Sequence, residues 1–169
     1  AFGAVDVVVN NAANALAMPL GEFTLDAWNK SMDVNLRGPV FLVQEALPWL
    51  KKSPHAAVLN VLTGAAFLFS STISLYAIGN AGLLAATRAM AAEFEPFGIR
   101  VNALSPGTVD TDMVRKNTHE AQDVMTSIQL MKRMASPDEM VGPALMLTSD
   151  AGSFITGQVV FADGGMVPR

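Results

Sequence analysis

The chain has 169 residues, 51% of them hydrophobic and only 15% charged, which is enough apolar side chain for one domain with a substantial core and too much for a disordered chain. Eleven basic against fifteen acidic side chains give a net charge of -4, with no basic run to follow a phosphate backbone, so no nucleic-acid partner is expected. Cysteine is absent, which excludes disulfides, thiolate metal sites and a cysteine nucleophile and suits a reducing compartment, taken here as the cytoplasm.

A zinc site would have only His55, His119 and carboxylates to draw on, and no metal is expected. The apolar stretch from Ala56 to Phe69 is broken by Asn60, Thr63 and Gly64 and falls short of the roughly 20 residues that cross a bilayer, so no membrane association is expected. The chain opens on Ala1 without a basic n-region or a cleavage site, and this start is expected to be internal to something longer.

Val5 to Val9 is a continuous β-branched run closed by Asn10 and Asn11, the pattern of a parallel strand buried on both faces. Thr24 then caps a helix reaching to about Leu50, with Leu25, Trp28, Met32, Leu36 and Val40 at helical spacing and possible kinks at Pro39 and Pro48. Ala57 to Leu62 is a second strand. Ser74 to Phe97 is a long helix ended by Pro96 and Gly98, and Ile99 to Leu104 is a third strand stopped by Ser105-Pro106-Gly107. Thr108 to Ser136 is polar, with at most a short helix between Thr118 and Met131. Ser136-Pro137-Asp138-Glu139 has the cap, proline and acids that open a helix to about Leu147. Gln158 to Ala162 makes a last strand before Asp163-Gly164-Gly165. Strands alternating with helices predict a single α/β domain with a Rossmann-like parallel sheet and flanking helices.

In such sheets ligands sit beyond the carboxyl ends of the strands. There the sequence carries Asn10-Asn11-Ala12-Ala13, Thr63-Gly64 and Pro106-Gly107-Thr108-Val109-Asp110-Thr111. Together with Asp33-Val34-Asn35-Leu36, the lone Tyr76, Ile99-Arg100-Val101-Asn102 and Asp163-Gly164-Gly165, these pieces resemble the short-chain dehydrogenase/reductase family. They come in the family's order and run from Asp6 to Gly165.

The resemblance implies a doubly wound fold and hydride exchange between NAD or NADP and an alcohol or carbonyl. It places the catalytic tyrosine at Tyr76, the helix asparagine at Asn35, and the catalytic serine at Thr63, which still offers a hydroxyl. Asn80 stands where the family has a lysine. A phenol ionises near ~10 and a neighbouring ammonium favours the phenolate; asparagine has no charge to do so, so an impaired or inactive enzyme is expected. Asn10, Ala12, Pro106, Gly107, Val109 and Thr111 fall at cofactor-binding positions for the nicotinamide end.

The family's glycine-rich phosphate turn precedes its Asn-Asn-Ala strand, and no Gly-x-x-x-Gly-x-Gly run follows a strand here. The domain is therefore expected to be incomplete at its N-terminal side, by roughly 80 residues at the size of three β-α units. Cofactor binding by this chain alone is correspondingly doubtful.

Several residues have structural readings beside the functional ones: Asn10 as a strand-end hydrogen bonder, Asn35 as the holder of a bend, His55 and His119 as solvated side chains. Met113, Met125, Met131 and Met134 are candidates for either a substrate flap or core. Ala77, Ala81, Gly82, Ala85, Ala86 and Ala89 keep one helix thin, which in the family serves a subunit interface, so a homo-oligomer (dimer or tetramer) is expected. Two rival functions remain open: a cofactor-independent hydrolase or lyase using Thr63, Tyr76 and Ser105, and a non-catalytic assembly or binding subunit.

Overall fold

The computed structural model describes residues 3–69 and 71–167. Four parallel strands, β1 (Val7–Asn10), β2 (Ala57–Val61), β3 (Arg100–Pro106) and β4 (Val159–Ala162), lie side by side in chain order. Helices α1 (Leu25–Met32), α2 (Gly38–Leu50) and α3 (Ser74–Phe94) follow β1 and β2. The short α4 (Asp112–Arg115) and α5 (His119–Ser127), then α6 (Val141–Thr148), lie between β3 and β4. The parallel α/β architecture expected from the pattern is the one observed.

Side chains alternate across a strand, so consecutive residues of the sheet feed opposite cores. Val8, Val58 and Val101, in register with one another, join Val43 and Leu50 of α2 and Met90 and Phe94 of α3 on one face. Leu59 and Leu104 face the other way, onto Leu147 of α6. Two polar residues of the Ile99-Arg100-Val101-Asn102 motif tie this second layer down. The Arg100 guanidinium donates to the carbonyls of Leu147 and Ser149 at the end of α6 and to that of Ile155. The fully buried Asn102 side chain donates to Ile155 O at 2.7 Å and accepts from Gln158 N at 3.1 Å.

The first strand departs from expectation. It starts at Val7 rather than Val5, and only one face is buried: Val8 and Asn10 point inward while Val7 and Val9 are 39% and 50% exposed. β1 is an edge strand, and among the described residues α6 packs over β2 and β3, leaving the Val7 and Val9 face of β1 exposed. β3 runs on through Pro106, two residues past the expected stop. Pro106 closes the strand in register with Ala162, a terminal position where a missing N–H is tolerated.

Thr24 does cap its helix, accepting from Ala27 N at 3.1 Å. The helix it opens is interrupted at Asp33–Arg37 by a widened turn in which Gly38 N donates five residues back to Asp33 O. Pro39 has no N–H to give, so the ordinary ladder cannot close there. Pro48 is accommodated inside α2. Downstream, α3 gives way to a tighter turn at Glu95–Phe97 that ends on Gly98 in the left-handed region. The cap at Ser136 also opens a tight turn, Pro137–Met140, ahead of α6. Here the Ser136 N–H donates to Glu139 Oε2 at 2.8 Å.

Candidate functional site

Thr63 and Tyr76 meet beyond the carboxyl end of β2. Thr63 leaves the strand in extended conformation and caps the following turn, its hydroxyl accepting from Ala65 N. Tyr76 lies in the first turn of α3, half-buried, with the Thr63 side chain near enough to act on its phenol. Burial pushes the phenol above its ordinary value of 10.0, and the nearby Thr63 hydroxyl offsets part of that rise. A phenol with that balance keeps its proton at neutral pH, which makes it a donor rather than a base.

Asn80 lies one turn further along α3 and is buried. Its amide donates back to Tyr76 O at 3.0 Å, so it braces the helix and brings no charge to the phenol. Asn35 lies in the widened turn after α1, and its side chain holds a loop rather than a reactive group. Its Oδ1 accepts from Asn14 N at 2.8 Å, while its Nδ2 donates to Asn14 O at 2.8 Å and to Ser31 Oγ at 3.1 Å. Gly79 is what lets Asn35 approach α3, since a Cβ there would stand 2.8 Å from the Asn35 Cβ; Gly82 likewise admits Leu36. Part of the thin face of α3 is therefore used within the chain.

The positions expected to touch a cofactor divide into two groups. Asn10 is buried and engaged: its Nδ2 donates to Asn60 Oδ1 at 2.7 Å, and Asn60 Nδ2 donates to Thr87 Oγ1 at 2.8 Å, a buried ladder from β1 through β2 to α3. Gly107 is required by packing, because a Cβ would fall 2.6 Å from Asp163 O. Pro106, Val109 and Thr111 are half-buried at the strand ends and Ala12 is exposed. Thr111 precedes α4 in extended conformation without its hydroxyl capping the helix, so that hydroxyl remains available to a ligand.

Ser105 is fully buried, and its Oγ has no hydrogen-bond partner. Full burial closes it to a ligand, which corrects its grouping with Thr63 and Tyr76 as a pocket hydroxyl. Neither histidine approaches the site as a base: His55 is exposed beside Asp150 at 3.2 Å, and His119 is exposed at the start of α5. Among the described residues no group of three or more His, Cys, Asp or Glu is placed to hold a metal, and no helix is long and apolar enough to cross a membrane.

Sequence reasoning passed over the residues that shape the rim. Gln129 is buried and fixes the segment after α5, accepting from Thr108 N at 2.6 Å and donating to the carbonyls of Met131 and Arg133. Thr72 adopts φ 64°, uncommon for a β-branched residue, and its carbonyl accepts from Met18 N at 2.6 Å. Met113, Met125, Met131 and Met134 are all at least partly exposed, and none joins the buried clusters.

Over residues 1–167 the chain matches the family model described as enoyl-(acyl carrier protein) reductase. It is 35% identical over 167 residues to a probable galactose dehydrogenase of Rhizobium meliloti, covering 98% of this chain and 65% of that protein. To the 3-oxoacyl-(acyl-carrier-protein) reductase of Thermotoga maritima it is 32% identical over 166 residues, covering 98% of this chain and 68% of the other. The solved gluconate 5-dehydrogenase of Burkholderia cenocepacia, in complex with NADP and tartrate, aligns with a TM-score of 0.92 at 31% identity, over 98% of this chain and 66% of that one. The chain thus spans 65 to 68% of the length of these relatives.

Proposed function

The chain belongs to the short-chain dehydrogenase/reductase family, and from that premise we propose that it carries the carbonyl-binding, proton-donating side of an NAD(P)-dependent alcohol/carbonyl oxidoreductase. Tyr76 gives the proton and Thr63 holds the carbonyl oxygen. The observation that carries this reading is the nearness of the Tyr76 phenol and the Thr63 hydroxyl beyond the carboxyl end of β2, with burial keeping the phenol in its protonated form. A carbonyl oxygen presented to that pair accepts two hydrogen bonds, and as it gains electron density the phenol proton passes to it.

The same desolvation, unrelieved by any charge at Asn80, makes Tyr76 a weak acid. The reaction is accordingly slow, and carbonyl reduction is faster than alcohol oxidation near neutral pH, because only reduction uses the protonated phenol.

The residues present fit one end of the cofactor that the family implies. Pro106, Val109 and the uncommitted hydroxyl of Thr111 would hold the nicotinamide, which when bound supplies the hydride. Nothing in this sequence has the glycine-rich form of a pyrophosphate turn. The exposed Phe41, Leu42 and Trp49 of α2 and Ile78 of α3 favour a homo-oligomer, and the absence of cysteine favours the cytoplasm. The hydrolase alternative has no support, since its buried Ser105 can attack nothing.

Oxidation of NADH and NADPH with a panel of ketones tests the proposal on the parent protein, Tyr76→Phe and Asn80→Lys. Reduction should fall by at least ~100-fold in Tyr76→Phe and rise by a similar factor in Asn80→Lys, the range expected of one proton transfer. An unchanged rate in Tyr76→Phe would remove Tyr76 from the chemistry and end this reading.

A further inference from the structure

The residues after β4, Asp163-Gly164-Gly165-Met166-Val167, form a turn of fixed shape. Gly164 and Gly165 carry the chain round at φ 61° and 78°, in the region open to glycine. The Asp163 carboxylate holds the rest of its course: Oδ1 accepts from Gly165 N at 2.9 Å and Oδ2 from Val167 N at 3.0 Å, while Asp163 O accepts from Met166 N at 3.2 Å. Only 6% of Asp163 is exposed. A carboxylate is costly to bury unless hydrogen bonds replace its water, and both of these bonds serve the shape of the turn.

β4 lies beside β3, and β3 beside β2, so the turn meets two strand ends in succession. At its root, a Cβ on Gly107 would fall 2.6 Å from Asp163 O; at its tip, a Cβ on Gly64 would fall 2.7 Å from Met166 Sδ. Backbone without a side chain admits the turn at both places. Gly107 leads from Pro106 toward Val109 and Thr111, and Gly64 directly follows Thr63. The Thr63 hydroxyl accepts from Ala65 N at 3.3 Å, so its direction depends on the backbone against which Met166 rests. From the segment after α5, Met131 N donates to Gly164 O at 2.9 Å and closes the turn from outside.

We propose that Asp163 is a positioning residue: through the turn from Asp163 to Met166 it sets Thr63, at the end of β2, against the nicotinamide-holding loop at the end of β3. This rests on Thr63 and Tyr76 being the carbonyl-binding pair.

Tyr76 is the only tyrosine of the chain, so tyrosine labelled with carbon-13 at Cζ gives a single NMR resonance that reports on the hydroxyl near it. Thr63→Val keeps the shape of that side chain, removes its hydroxyl and sets the direction in which the resonance moves. Asp163→Asn keeps the shape of the carboxylate but turns an amide N–H against one of the two backbone N–H groups, and should move the resonance the same way. Met166→Ala leaves the Asp163 bonds in place; it should also move the resonance that way, and it carries the test if Asp163→Asn does not fold. With NADPH and methyl hexyl ketone, Asp163→Asn should lower kcat at least ~10-fold and change KM by less than ~3-fold, the pattern of a misplaced group rather than a missing binding contact. A resonance unmoved in both variants, or an unchanged kcat, would overturn the proposal even if urea midpoints fell, since a purely structural role lowers stability alone. Failure of the underlying reading looks different: Thr63→Val would reduce the ketone at the parent rate, or the parent would reduce none, whatever Asp163→Asn did to the Tyr76 resonance.

Discussion

Asn35→Ala removes three hydrogen bonds while keeping the Cβ that Gly79 is shaped to receive, so little cavity or steric change accompanies the loss. At about 1 kcal/mol net for each bond, destabilisation should be roughly 3 kcal/mol, a substantial part of the ~5 to 15 kcal/mol typical of a domain. The Asn14 N–H and C=O lose their clamp, so local opening of the loop after β1 should become easier than global unfolding. Urea unfolding with linear extrapolation gives the first quantity, and hydrogen exchange at the Asn14 amide gives the second. Asn35→Asp sharpens the test: a carboxylate can still accept from Asn14 N, but it faces Asn14 O with nothing to donate. That variant should resemble Asn35→Ala at neutral pH and recover as pH falls toward about 4, the ordinary carboxyl value, because facing the Asn14 carbonyl raises the folded-state pKa above it. A loss under ~0.5 kcal/mol in Asn35→Ala, with Asn14 still protected, would refute the clamp.

Burial raises the Tyr76 pKa in the folded state, so the folded chain holds that proton more tightly than the unfolded one; its contribution is complete below pH 10 and is lost as pH climbs beyond. Urea midpoints across this alkaline range should fall less steeply in Tyr76→Phe than in the parent. Glu139 behaves oppositely: Arg133 and the Ser136 N–H hold its carboxyl at about 2 rather than 4.5, so its contribution is present above 4.5 and lost as pH drops toward 2. Glu139→Gln should flatten that acid limb in the same assay, and an unaltered limb would show that the pair does nothing for stability. Calorimetric titration of the 169-residue chain with NADH and NADPH should give affinity no tighter than millimolar, because only the nicotinamide end finds partners; micromolar binding would contradict that division.

The positions of the strands and helices along the chain were legible because buried parallel strands read as apolar runs and because Thr24, Gly98 and Ser136 are strong punctuation. The widened turn at Asp33–Arg37 was not legible, since Pro39 predicts a disturbance without saying how the backbone absorbs it. α4 is a single turn with no apolar stripe and gave no periodic signal. The run from Val5 to Val9 reads as buried on both faces whether or not a neighbour covers it, so the exposure of Val7 and Val9 depends on where α6 packs. Tyr76 and Thr63 were picked out by the family resemblance. That Asn80 would turn its amide onto Tyr76 O, and that Ser105 would be sealed away, depends on side-chain direction, which residue type alone does not fix.

The strands stand in space in the order in which they occur along the chain, and each crossover returns to the edge just completed. No strand has to be threaded between two that already pair, so a nascent chain can lay down this sheet from β1 to β4 as it leaves the ribosome. The Arg100 guanidinium and the Asn102 amide, both on β3, then wait for carbonyls made some fifty residues later, at Leu147, Ser149 and Ile155. Until those arrive the emerging protein holds a desolvating cation and amide without acceptors. The interval between the emergence of β3 and that of Ile155 is therefore when the half-made molecule is most exposed to capture by chaperones and proteases, and a pause in translation there would lengthen that interval.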